Sequence, residues 1–88
     1  MLLGSMGAEA RLASFLVNLS GRFLRRGYSP SDFILRMTRE EIGSYLGLKL
    51  ETVSRIFSEF HRRGLLQVQQ KHVLILDPKG LRGLLAMP

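Results

Sequence analysis

The chain has 88 residues, 45% hydrophobic and 23% charged, which is ordinary globular usage; one folded domain with a modest core is expected, and disorder or a fibrous repeat is disfavoured. It contains no cysteine, which removes disulfides, a thiol nucleophile and cysteine-held zinc or iron–sulfur clusters from this segment. Thirteen Lys and Arg against seven Asp and Glu leave a net charge of +6, which suits a polyanionic partner, nucleic acid first and a membrane surface as its rival.

The first predicted element is a helix over Ala8 to Arg26, with Leu12, Phe15, Leu16, Leu19 and Phe23 on one stripe and Ser14, Asn18, Arg22 and Arg25 on the other side. Gly27 ends it, and Tyr28-Ser29-Pro30-Ser31-Asp32 is turn-rich. Phe33 to Met37 reads as a short strand. A second helix opens at Thr38, three residues before Glu41, the capping-box spacing, and Ile42 and Leu46 then face inward. Gly47 stands where that helix must stop in the left-handed conformation. From Leu50 a third helix places Val53, Ile56, Phe57 and Phe60 on one face and Glu51, Ser54, Arg55, Ser58 and Arg62 on the other. Two helices joined by so tight a turn are a helix-turn-helix.

Beyond Gly64, Leu66 to Gln69 and His72 to Leu76 are β-prone runs separated by Gln70-Lys71, the pattern of a hairpin, here a wing. Asp77 and Pro78 supply an N-cap and an N1 proline for a last short helix carrying Leu81, Leu84 and Leu85, with Gly80 and Gly83 weakening it. The predicted fold is mainly α with a small antiparallel β wing: three core helices, a hairpin and a short C-terminal helix. No apolar run approaches the roughly 20 residues that cross a bilayer, and Met1-Leu2-Leu3 lacks the features of a signal peptide, so a cytoplasmic location is expected.

Several side chains have both a bland and a sharp reading. Glu51 and Arg55 are spaced to form an ion pair supporting their own helix, or to meet cytosine N4 and guanine O6/N7 in a major groove. Ser54 lies between them, either a tolerated surface residue or a base contact. Thr38 is a cap and Arg39 a solvated first-turn charge, yet together they also form a phosphate-binding helix start. Lys49, Thr52 and Lys71 are surface residues or phosphate contacts. His61 and His72 have no clustered third ligand, so no metal is assigned. No Ser-His-Asp set, phosphate loop or carboxylate dyad can be assembled, and an enzyme is not expected.

These segments resemble the C-terminal DNA-binding domain of Crp/Fnr-type bacterial transcription regulators, within it the fumarate and nitrate reduction (FNR) branch. RLASFLVNLSGRF is similar to that branch's helix after the dimerisation helix, GYSPSDFILRMTREEIGSYLGL to its loop, strand and first motif helix, and ETVSR to its recognition signature. Coverage runs from about Ala8 to Leu85. In the signature E-x-x-S-R, Glu, Ser and Arg read a TTGAT-type half-site, which implies Glu51, Ser54 and Arg55 as base-reading residues. Cyclic-AMP receptor relatives instead carry Arg before the Glu and Gly in place of Ser54.

The resemblance also implies phosphate contacts from Thr38, Arg39, Lys49, Thr52 and the wing around Gln69 to Lys71. This chain departs from it at Lys49, where a capping Ser or Thr is common, and at Gln70, which replaces a wing-turn glycine. Family members dimerise along a long helix and sense effectors through an N-terminal β-roll. Residues 1–7 are therefore expected as a remnant of that helix or a linker, and 8–88 as the DNA-binding domain. The implied partners are double-stranded DNA and, in the full-length protein, a second copy, with RNA polymerase as a further partner and the isolated domain monomeric. No cofactor is expected in this segment. Two rival readings are a winged-helix module that binds protein through the third helix, and an amphipathic first helix lying on a membrane.

Overall fold

The computed structural model describes residues 7–86. The expected helix remnant at the start lies outside the described residues, apart from Gly7, the N-cap of helix α1, Ala8–Arg25. Leu12 and Leu16 of the predicted stripe are buried, joined by the small residues Ala10 and Ala13, which let neighbouring elements approach closely. Phe15, Leu19 and Phe23 border the core, and the Phe23 ring stacks on Phe33 with 5.1 Å between centroids.

The strand expected over Phe33 to Met37 is shorter and begins earlier: β1 spans Asp32–Ile34. The reason lies in its partner. Ile34 is opposite His72, the first residue of β3, His72–Ile75, and the next residue of that chain, Lys71, already belongs to the hairpin turn. Leu35 still donates its N–H to the Lys71 carbonyl at 2.7 Å, after which the chain bends toward the cap of the next helix. Strand β2, Leu66–Gln69, pairs with the other edge of β3, giving an antiparallel sheet of order β1-β3-β2. Phe33, Val73, Leu66 and Ile75 face the core.

Helix α2, Arg39–Leu46, has the predicted capping box: the Thr38 hydroxyl accepts from the Glu41 N–H and the Glu41 carboxylate from the Thr38 N–H. It ends at Gly47 with φ 74°. Helix α3, Leu50–Arg62, buries Val53, Ile56, Phe57 and Phe60, the face its periodicity indicated. Helix α4, Pro78–Gly83, starts with the Asp77 carboxylate accepting from the Gly80 N–H at 2.9 Å and is followed by a 3-10 turn over Leu84–Ala86. At Gly80, which lowers helix propensity, a Cβ would meet the Asp77 carboxylate and stand 2.8 Å from Leu65 Cδ2, so those side chains would have to shift to admit one.

The four helices and three-stranded sheet enclose one core to which all of them contribute. No buried polar or charged residue interrupts it among the described residues. The turn between α2 and α3 is tightly packed at Gly43. Leu48 donates its N–H to the Gly43 carbonyl at 2.7 Å, and a Cβ on Gly43 would lie 2.5 Å from the Leu48 carbonyl oxygen. A backbone oxygen cannot swing aside as a flexible side chain can.

Gly43→Ala should therefore destabilise the domain by about 1–3 kcal/mol through overpacking, against a helix-propensity gain of about 1 kcal/mol. Chemical denaturation measures the net effect. An unchanged or increased stability would show that the turn can relax without cost.

Candidate nucleic-acid interface

The outward face of α3 carries Glu51 and Arg55 exposed and Ser54 half-buried between them. Their spacing of three and four residues follows from the same periodicity that buries Val53, Ile56 and Phe57 on the opposite side. The ion pair that the i, i+4 spacing allows between Glu51 and Arg55 does not form: among the described residues, ion pairs join Arg62 to Glu59 and Arg63 to Glu9. The carboxylate of Glu51 and the guanidinium of Arg55 thus keep their hydrogen-bonding capacity for another molecule. Arg62, also on the polar face, is satisfied within α3, its Nε donating to Glu59 at 3.2 Å. This pairing holds the Glu59 carboxyl below its ordinary range and raises the Arg62 guanidinium.

A second group assembles where the start of α2 meets the hairpin. Thr38 is exposed, and its hydroxyl accepts from the Glu41 N–H at 3.1 Å. Arg39, expected as a solvated charge, is half-buried: its guanidinium lies 4.9 Å from the Phe57 ring centroid and donates through Nη1 to the Gln70 carbonyl at 3.1 Å. Lys71 sits close enough to Glu41 for its charge to help lower the carboxyl. The structure thus brings Lys71, more than thirty residues on in sequence, beside Thr38 and Arg39 at the α2 N-terminus, where the helix dipole also favours an anion.

Lys49 occupies the N-cap of α3 without a side-chain cap bond, in accord with its departure from the usual Ser or Thr, and is exposed. Thr52 is half-buried in the first turn of α3, and Gln69 is exposed at the end of β2. Gln70 takes φ 57°, so the turn adopts a left-handed residue although glycine is absent.

Between α3 and the hairpin runs an open groove of ≈ 550 Å³ lined by Arg39, Ser54, Phe57, Ser58, His61, Arg62 and Val68. Ser58 and His61 were not singled out as site residues from sequence, yet they follow Ser54 by four and seven, one helical row. That spacing was the available signal. His61 faces the hairpin, with Nδ1 3.5 Å from the Val68 N–H, and His72 Nε2 meets the Asp32 carboxylate across the sheet. Among the described residues, no group of three or more His, Cys, Asp or Glu is placed to hold a metal. No helix of the described residues is long and apolar enough to cross a membrane, and the apolar stripe of α1 is used by the core.

Residues 10–84 match the Crp-like helix-turn-helix domain. Over 82 residues the chain is 56% identical to the transcriptional regulatory protein btr of Bordetella pertussis, covering 93% of this chain and 34% of that one. It is 53% identical over 81 residues to the transcriptional activator protein FnrA of Stutzerimonas stutzeri, covering 92% and 33%. Among solved structures, FixK2 from Bradyrhizobium japonicum superposes with a TM-score of 0.86 at 35% identity, over 99% of this chain and 42% of that one. The chain thus spans about a third of the length of the curated relatives it matches. These relatives are named as regulators of transcription, a non-enzymatic class.

The capping box links the stability of the fold to pH. Hydrogen bonds from the Thr38 backbone and side chain, with Lys71 nearby, hold the Glu41 carboxyl below its ordinary value of 4.5. A carboxyl lowered on folding stabilises the fold fully above its unfolded value and loses that contribution as pH falls through the folded one. Glu41→Gln keeps an acceptor for the Thr38 N–H but does not titrate. Its thermal stability should therefore fall less steeply than wild type as pH drops below 4.5. Parallel profiles of melting temperature against pH would contradict this.

Proposed function

The chain belongs to the family of Crp-like helix-turn-helix domains, and from that premise we propose that it binds duplex DNA sequence-specifically, α3 reading a TTGAT-like half-site in the major groove. The observation that carries this reading is the solvent-facing row of Glu51, Ser54 and Arg55 on a helix whose other face is wholly committed to the core, with Glu51 and Arg55 left unpaired to each other. Arg55 donates in bidentate fashion to guanine O6 and N7, Glu51 accepts from cytosine N4, and Ser54 meets a neighbouring base. Thr38, Arg39, Lys49, Thr52, Gln69 and Lys71 hold phosphates, fixing the register in which the bases are read.

Residues 8–88 form the DNA-binding domain of a longer regulator that acts as a homodimer on an inverted repeat, its two reading helices about 34–36 Å apart. The relatives' greater length and their names as transcription regulators support this. By itself the domain is monomeric and binds one half-site weakly.

Selection of bound sequences from random duplex DNA tests the half-site directly, and enrichment of unrelated sequences would reject it. Arg55→Ala should lose about 1–3 kcal/mol on the selected site and little on random duplex, whereas Lys71→Ala should weaken both and lower the salt slope by about one. Equal losses on both duplexes for Arg55→Ala would remove it from base reading. Joining two copies through a linker of suitable reach should raise affinity for a correctly spaced inverted repeat by about 10²–10⁴. An equal gain on a misphased repeat would reject the dimer geometry.

A further inference from the structure

The hairpin tip is held more firmly than two four-residue strands and a two-residue turn would hold it. Its two carbonyls each accept from outside the hairpin: Lys71 from the Leu35 N–H at 2.7 Å, and Gln70 from Arg39 Nη1 at 3.1 Å. Gln70 carries φ 57°, a conformation that a side chain with a Cβ holds only where the surroundings fix it. Arg39 in turn has a rigid platform. Its guanidinium lies over the ring of Phe57, which is 1% exposed and fixed in α3.

We propose that Arg39 is a positioning residue that locks the wing to the reading helix, fixing the Gln70-Lys71 tip relative to the Ser54 and Arg55 face of α3 before any duplex arrives. One side chain joins three elements: its own helix α2, α3 through the ring of Phe57, and the hairpin through the Gln70 carbonyl. It also lines the groove between α3 and the hairpin. The guanidinium suits this role for two reasons. A planar guanidinium can lie against a ring and still donate in its own plane, which the compact ammonium of lysine cannot do. It also has five N–H donors, of which the Gln70 carbonyl takes one, leaving others for a phosphate oxygen. A wing fixed beforehand places Lys71 on the backbone in register with the base contacts of α3, and the ordering cost of binding falls accordingly. This step rests on the proposal that α3 and the wing engage one duplex.

The test uses Arg39→Lys, which keeps the charge but not the planar fork, beside Arg39→Ala. In the free protein both substitutions should raise backbone mobility at Gln70 and Lys71, read as lowered NMR order parameters, and should speed hydrogen exchange of the Leu35 amide by about tenfold while leaving the Ile56 amide unaltered. On duplex DNA, Lys71→Ala should lose most of its effect in the Arg39→Lys background, because a freed tip no longer presents the lysine at a fixed point. A side chain serving only as a phosphate contact leaves the free wing as ordered as in wild type, and its loss adds to that of Lys71. Unchanged tip order, or additive losses, would overturn the proposal. If the wild-type domain binds no duplex at all, the DNA-binding reading fails, while tip order in the free protein still decides whether Arg39 holds the wing.

Discussion

One helix has to serve as both the centre of the core and the working surface, and the rest of the domain is arranged around that requirement. Val53, Ile56, Phe57 and Phe60 of α3 are buried, and at about 1.5–3 kcal/mol for each large apolar side chain their burial is a major share of what holds so small a domain together. With that face committed to α1, α2 and the sheet, the opposite face has a fixed direction. Glu51 and Arg55 are therefore presented by the same free energy that folds the chain, and a loss of packing under α3 is felt at the surface as a loss of aim.

The turn between α2 and α3 turns this packing into a defined geometry. Gly43 lets the Leu48 carbonyl approach to within the space a methyl group would fill, and the Leu48 N–H returns a hydrogen bond to Gly43. The start of α2 is thereby brought beside Phe57 and the hairpin, where its capping box and Arg39 lie. Fold stability and surface geometry share these contacts. Substitutions at Gly43 or Phe57 are accordingly expected to change both, whereas Arg55 can be altered with little effect on the fold.

The placement of charge complements that division. Residues 38–64, which contain both motif helices, carry five basic and four acidic groups, so the domain's net charge of +6 comes mainly from the flanking segments. Lys71 arrives at α2 from the wing, and Arg39 is drawn partly inward over an aromatic ring. In the proposed DNA-binding role, a nearly neutral helix avoids a strong, sequence-blind attraction and leaves hydrogen-bond geometry to discriminate, while cations at its margins supply the general attraction.

Much of this was legible in the residues themselves because it depends on local periodicity and local chemistry. The 3.6-residue repeat of α3, the Thr38–Glu41 cap, the Gly47 stop, the Asp77-Pro78 start and the two β-prone runs each depend on neighbours within a few positions, and each element stands where it was expected to within a residue or two. The positions of Glu51, Ser54 and Arg55 on one face follow for the same reason. What depended on partners distant in the chain was not legible. Phe33 to Met37 reads as a five-residue strand, but β1 stops at Ile34 because its partner β3 begins at His72, and register between segments nearly forty residues apart is set only when both pack on one core. Gly80 reads as a weakness in a helix, yet a Cβ there would crowd the Asp77 carboxylate and the Leu65 side chain, which comes from another element. Arg39 reads as a solvated charge or a phosphate contact; the tertiary fold alone brings it over Phe57 and against the Gln70 carbonyl, because a contact among three separate elements has no periodic signature in the sequence.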